Sequence, residues 1–315
     1  MNKPHILSFE SYDDWDSVPM NKSYTVHQLP NDMKASELSA DILQNVQAFA
    51  FKGHSTLGPE TIDAFPKLGL IANYGVGYDS IDVAHATSKG IAVTNTPDVL
   101  TNDVADLAIG MLLALSRDIV GASDWVRSGN WAKQGAYPLQ RTISDTAIGI
   151  VGLGRIGHAV ATRLQNFDAH IHYFSRSEKD TPNWVFHNDL VELAKAVDTL
   201  VVTVSGGPDT AGLVSAEVIH SLGTDGVIIN SARGSTMDEE ALIQALQTGK
   251  LRGAALDVYN DEPNIDSRFM ELDNVLLQPH QSSGTIETRK RMGELQRKNL
   301  EAFFAGNTLI TQVNN

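Results

Sequence analysis

Cysteine is absent from all 315 residues, which excludes disulfides, thiolate metal sites and a cysteine nucleophile together. Positive charge is scarce. Lys and Arg number 24 against 38 Asp and Glu, a formal net charge of −14, the wrong sign for a chain that holds nucleic acid by neutralising phosphates. Any anionic ligand must therefore meet local positive charge. Long apolar runs are missing too: Leu107 to Ser116 ends at Arg117 and Thr199 to Pro208 is shorter than the ~20 residues that cross a bilayer, so no membrane association is expected. The acidic run Asp13, Asp14, Asp16 stands where a signal peptide needs small residues, so the expected location is cytoplasmic. No His, Asp or Glu pair stands at ligand spacing in a context resembling a site, and no metal is expected.

What is present is a folding composition, with 42% hydrophobic and 20% charged residues. At roughly 100 to 200 residues per domain the length predicts two domains. Short β-rich runs at His5 to Phe9, Tyr24 to Leu29, Val46 to Phe51, Leu68 to Asn73 and Ile91 to Thr94 alternate with helix-like stretches. Thr101 to Ser128 reads as one long helix, with Val104, Leu107, Ala108, Met111, Leu112 and Leu115 at helical spacing. Six further strand runs follow: Thr146 to Val151, His170 to Phe174, Asp198 to Val204, Gly226 to Asn230, Ala254 to Val258 and Val275 to Leu277. The expected fold is α/β, with two Rossmann-like domains built on doubly wound parallel sheets. Because the periodic segment Ile286 to Phe304 needs a surface to pack on, the chain is expected to cross back. Residues 1–98 and 288–315 then form a discontinuous, flavodoxin-like substrate domain, into which a dinucleotide-binding domain, 99–287, is inserted.

After the strand ending at Val151 comes Gly152-Leu153-Gly154-Arg155-Ile156-Gly157 and then a helical pattern. Gly152 permits the tight turn, Gly154 lets a pyrophosphate approach the backbone, Gly157 allows helix to pack on strand, and the helix N-terminus offers free N–H groups. About 20 residues later, where an NAD-preferring site places an acid, stands Ser175-Arg176-Ser177. A guanidinium flanked by hydroxyls suits a 2′-phosphate, so NADP(H) is favoured over NAD(H); a solvated surface arginine is the alternative reading of Arg176.

Three strand ends of the second domain finish in ionisable residues: Arg233, Glu262 and His280. Ligands on doubly wound sheets sit beyond such ends. An arginine to clamp an anion, a histidine to deliver a proton and an acid to orient the imidazole suffice to reduce a 2-keto acid. Taken singly, Arg233 also reads as a structural ion pair, Glu262 as an exposed loop acid and His280 as a core histidine.

The stretches Asn73-Tyr74-Gly75-Val76-Gly77-Tyr78-Asp79, Asn95-Thr96-Pro97, Ser231-Ala232-Arg233-Gly234, Leu256-Asp257-Val258-Tyr259 with Glu262-Pro263, and Pro279-His280 stand in one order with the glycine loop. Together they resemble the D-2-hydroxyacid dehydrogenase family over nearly the whole chain. The resemblance implies that Arg233, Glu262 and His280 are the substrate arginine, the supporting acid and the proton donor. It implies that the Val76 and Gly77 N–H groups receive the substrate carboxylate, and that Ser231, Asp257 and the Ala232 carbonyl belong to the nicotinamide site. Pro97 to Thr101, Tyr173 to Ser177 and Gly284 to Arg289 look like the branch of NADPH-dependent glyoxylate/hydroxypyruvate, hydroxyphenylpyruvate and 2-ketogluconate reductases. The implied activity is reduction of glyoxylate or hydroxypyruvate to a D-2-hydroxy acid, with a bulkier keto acid as the alternative and a dinucleotide-sensing interaction protein as the alternative of another class. A homodimer is also implied. Trp131 resembles an aromatic that reaches a neighbouring subunit's site, or serves as a dimer contact; Tyr74 reads as lining the substrate pocket or as packing. Where the family has a glycine then a serine, this chain has Gln281-Ser282-Ser283-Gly284, which puts a hydroxyl beside the proton donor. Tyr78, His54, His85 and His158 read as surface or packing residues.

Overall fold

A computed structural model describes residues 3–29, 34, 37–53 and 55–314, so His54 lies outside the described residues. The chain divides into two units, Met1–Leu100 with Ser283–Asn315, and Thr101–Ser282.

In the first unit, β1 (His5–Ser8), β2 (Thr25–Gln28), β3 (Val46–Phe51), β4 (Leu70–Asn73) and β5 (Ala92–Thr94) form a parallel sheet in the order β2-β1-β3-β4-β5. That order is flavodoxin-like. Every residue of β4 is buried, as befits a central strand covered on both faces. Phe49, Ile71 and Val93 pack with Phe65 and Ile81 on one side. Ala48, Ala50, Leu70 and Ala72 pack with Met20 and Leu300 on the other. Leu300 belongs to the helix Ile286–Phe304, whose buried Met292, Gln296 and Leu300 recur every fourth residue and whose first turn is capped by Thr285, accepting from the Thr288 N–H at 3.2 Å.

In the second unit, β6 (Ala147–Val151), β7 (His170–Phe174), β8 (Val185–His187), β9 (Thr199–Val202), β10 (Val227–Asn230), β11 (Gly253–Leu256) and β12 (Val275–Leu277) form a parallel sheet ordered β12-β11-β10-β9-β6-β7-β8. Strand order reverses at β6, where doubly wound sheets bind their ligands. Leu200, Val202 and Ile228 join one core cluster and Val201, Val227 and Ile229 the other, so alternate residues feed the two helical layers. Cutting any of these aliphatic side chains to alanine costs about 2 to 5 kcal/mol.

Two sequence expectations need correction. The sheet has seven strands, not six: Val185–His187 adds an edge next to β7, too short to show a periodic pattern. The long helix is two, Thr101–Arg117 and Ile119–Arg127. Asp118 breaks it by adopting a left-handed conformation, φ +43°, while its carboxylate accepts from the Gly121 N–H at 3.2 Å and from the Tyr137 hydroxyl.

Candidate active site

The glycine loop joins β6 to the helix Arg155–Gln165 at the switch point of the second sheet. Gly152 lies at φ +98°, which a side chain rarely adopts, and a Cβ on Gly157 would run into the Gly152 carbonyl oxygen. Both positions therefore require glycine. A Cβ on Gly154 meets nothing within 4 Å, and no side-chain hydrogen bond from Gly154 caps the helix that follows. Leu153 is buried, Ile156 half-buried against the core, and Arg155 exposed. The loop thus fits an approaching pyrophosphate.

At the end of β7, Ser175 donates to the Ser177 carbonyl at 2.6 Å, closing the turn that presents the exposed Arg176. Lys179, which sequence reasoning passed over, reaches Ser177 Oγ at 3.2 Å and adds a second cation. Its signal was its proximity to Arg176.

Beyond β10, Asn230 holds both sides of the next turn. Its Oδ1 accepts from the Ala232 N–H at 3.0 Å and its Nδ2 donates to the Arg233 carbonyl at 3.2 Å. Ser231 N–H reaches back to the Val202 carbonyl at 3.4 Å. Arg233 Nη1 donates to the Ala232 carbonyl at 2.8 Å, which directs the guanidinium along its own backbone. Beyond β11, the Glu262 carboxylate is fixed on one oxygen by the Tyr259 N–H at 2.8 Å. Its other oxygen lies 2.6 Å from His280 Nδ1. A carboxylate at Nδ1 requires the proton there, which sets the tautomer and leaves Nε2 on the far side of the ring. Hydrogen bonds to charged groups contribute about 1.5 to 3 kcal/mol. Asp257, fully buried, accepts from the N–H groups of Gln281 and Ser282 at 2.8 and 2.9 Å and from the Ser282 hydroxyl. The Ser282 side chain is thus spent on Asp257. Burial pushes the Tyr259 phenol up to about 12, and its hydroxyl donates to the Gln278 carbonyl at 2.9 Å.

In the first unit, the loop after β4 is shaped by two side-chain amides. Asn73 Nδ2 donates to the carbonyls of Gly75 and Gly77 at 3.1 and 2.9 Å, and Asn95 Nδ2 donates to that of Val76 at 3.0 Å. These bonds hold the carbonyls of three consecutive residues, and in a trans peptide each N–H points opposite to the carbonyl of its own peptide group. Sequence reasoning assigned no role to either asparagine. Tyr74 is buried, its hydroxyl donating to the Arg289 carbonyl at 2.7 Å, and burial raises its phenol to about 12.

Of the remaining candidates, Trp131 is 64% exposed on the short helix Asn130–Gln134. Tyr78 is exposed, His85 pairs with Asp63 at 2.8 Å, and the His158 ring packs on Trp184. Among the described residues no group of three or more His, Asp or Glu is placed to hold a metal, and no helix is long and apolar enough to cross a membrane.

The model of the D-isomer specific 2-hydroxyacid dehydrogenase NAD binding domain matches residues 109–282. The chain is 47% identical over 273 residues to a hydroxyphenylpyruvate reductase of Plectranthus scutellarioides, covering 86% of this chain and 87% of the relative. It is 38% identical over 312 residues to a 2-ketogluconate reductase of Gluconobacter oxydans, covering 99% of each. Among solved structures, an NADPH-dependent glyoxylate/hydroxypyruvate reductase from Sinorhizobium meliloti, in complex with NADP and malonate, superposes with a TM-score of 0.94 at 40% identity, covering 99% of this chain and 97% of that one. Ordered motifs, both sheet topologies and these similarities converge: the chain belongs to the D-isomer specific 2-hydroxyacid dehydrogenase family.

Proposed function

We propose that this chain is an NADP(H)-dependent reductase of small 2-keto acids, glyoxylate and hydroxypyruvate, forming the D-2-hydroxy acid where a stereocentre arises. The observation that carries the reading is the 2.6 Å contact between His280 Nδ1 and Glu262, on the same unit as the glycine loop. A pure dinucleotide sensor has no use for an oriented proton donor. The Sinorhizobium meliloti relative, bound to NADP and malonate, supports both the cofactor and an anionic ligand.

NADPH, when bound, supplies the hydride. Gly152 to Gly157 and the first helical turn would hold the pyrophosphate, while Ser175, Arg176 and Ser177, with Lys179, would take the 2′-phosphate, and Ser231, Ala232 and Asp257 would hold the nicotinamide end. In the second unit Arg233, and in the first the N–H groups of Val76 and Gly77, are each assigned to the keto acid's negative charge. His280 gives the proton on Nε2 to the carbonyl oxygen, and Glu262 stabilises the imidazolium before transfer. A second reading, a bulkier keto acid, is favoured by the 47% identity to a hydroxyphenylpyruvate reductase and the 99% coverage with a 2-ketogluconate reductase.

We assign the chain to the cytoplasm and to a homodimer. Ile119, Val120, Val126 and Trp131 are all more than half exposed on consecutive helices, an apolar surface that a second copy would cover; sedimentation at twice 34.1 kDa is the expected result. Steady-state kinetics with glyoxylate, hydroxypyruvate, 2-ketogluconate and hydroxyphenylpyruvate, each with NADPH and NADH, test the function. Turnover is expected to be fastest with the two small acids and NADPH, and His280→Asn is expected to lose at least 100-fold in kcat. Activity of that variant at the wild-type rate would remove the proton-donor role.

A further inference from the structure

His280 carries φ +48°, a left-handed conformation that residues with a Cβ adopt only under constraint. The constraint is visible on both sides of it. Before it, the Gln278 N–H donates to the Leu256 carbonyl at 2.8 Å and the Gln278 carbonyl accepts from the Tyr259 hydroxyl at 2.9 Å. After it, Gln281 and Ser282 are both tied to Asp257, the first residue beyond β11, through two backbone N–H groups and the Ser282 hydroxyl. Asp257 is itself anchored by its N–H on the Asn230 carbonyl at 2.9 Å, so the clamp is set on the central strands. Asp257 is fully buried and Ser282 is 7% exposed, which keeps water from competing for these bonds.

We propose that Ser282 and Asp257 are positioning residues that lock the turn carrying His280, so that its Nδ1 stays on Glu262 and its Nε2 stays aimed for proton delivery. The inference rests on the reading of His280 as proton donor. It adds to the nicotinamide role proposed for Asp257, because its two carboxylate oxygens accept from the two residues that follow the histidine. It also gives a purpose to the hydroxyl at Ser282, where the family pattern has glycine. Without the hydroxyl, two backbone donors still hold the turn but its left-handed residue has more freedom, and the imidazole samples unproductive orientations.

The test is Ser282→Ala, with Asp257→Asn as a harsher second variant and His280→Asn as the reference. Measured with glyoxylate and NADPH are kcat, the solvent deuterium isotope effect on kcat, and the NADPH dissociation constant from nucleotide fluorescence. For Ser282→Ala we expect a loss in kcat of about tenfold. The isotope effect should rise, because proton delivery becomes slower than the other steps, while the NADPH constant stays within about twofold. Asp257→Asn should show a larger loss in kcat and a raised isotope effect; the NADPH constant is read only in Ser282→Ala, because Asp257 is also assigned to the nicotinamide site. The isotope effect is a ratio of rates, so partial misfolding of either variant does not move it. A wild-type kcat and isotope effect in Ser282→Ala overturns the proposal, and so does a weakened NADPH constant with an unchanged isotope effect. If instead His280→Asn turns over normally, the proton-donor reading itself fails, a result separable from the other two.

Discussion

Replacing Asn73 by alanine removes one side chain that shapes the Val76–Gly77 loop. Asn73 is 5% exposed and its amide donates to the Gly75 and Gly77 carbonyls at 3.1 and 2.9 Å. The Gly75 carbonyl keeps a second donor, the Thr96 N–H at 2.9 Å, and Val76 keeps Asn95 at 3.0 Å. The loss therefore falls mainly on Gly77. An ordinary hydrogen bond contributes about 1 kcal/mol, and because Gly77 is half-buried water replaces part of the lost donor, so the two lost bonds together cost roughly 1 to 2 kcal/mol. If the loop then spends that free energy to reach its anion-binding shape, affinity for the keto acid drops by roughly 5- to 30-fold, at about 1.4 kcal/mol per tenfold. The expected signature is a raised KM for glyoxylate with kcat and the NADPH constant little changed. Asn95→Ala, which loses a single bond, should raise KM by a smaller factor. A KM in Asn73→Ala within threefold of wild type would refute the claim that these amides hold the loop.

Arg176→Ala should raise KM for NADPH at least tenfold and leave KM for NADH within about twofold, since only the former has a 2′-phosphate to lose; equal effects on both would return Arg176 to being a solvated surface residue. Strand β7 and the edge strand β8 predict a pH effect on stability: His172 Nδ1 and His187 Nε2 lie 2.9 Å apart, and both imidazoles titrate below the usual value, chiefly because burial disfavours the charged ring. The unfolded chain then binds more protons, so this stability is present above about pH 6.5 and is lost as the pH falls through the lower folded values. The urea midpoint should fall from pH 7.5 to 5.5, and a His172→Gln, His187→Gln double variant should flatten part of that fall. Part of the slope remains, because His27, 3.0 Å from His5, is shifted the same way by burial. A slope identical in both proteins would show that the pair does not report on folding.

Parallel sheets announce themselves when their strands are buried on both faces, which is why Val46–Phe51 coincides with its sequence limits. Val185–His187 lacks that signature because an edge strand of three residues needs neither length nor alternation; pairing with β7 defines it. The break at Asp118 lies in the same class. Apolar spacing runs through the position unbroken, and only the backbone turn, with Tyr137 on the carboxylate and Gly121 at its cap, shows that one helix has ended.

The site divides along a similar line. Arg233, Glu262 and His280 are proposed because ionisable residues beyond strands of a doubly wound sheet have few other reasons to recur, and the structure joins Glu262 and His280 by a hydrogen bond. Asn73 and Asn95 also end or follow strands, yet each reads on its own as a turn or capping residue, and Asp257 entered only through the family resemblance, as a nicotinamide residue, because an amide or carboxylate that binds backbone leaves no trace in spacing. Their partners are carbonyls and N–H groups, which every residue carries. Function at such positions is thus written in the orientation of the peptide groups they hold. It follows that a substitution there should change how well a loop is shaped before it changes whether the chain folds, and that split in readout, KM or isotope effect against stability, is what distinguishes a residue that positions chemistry from one that merely packs.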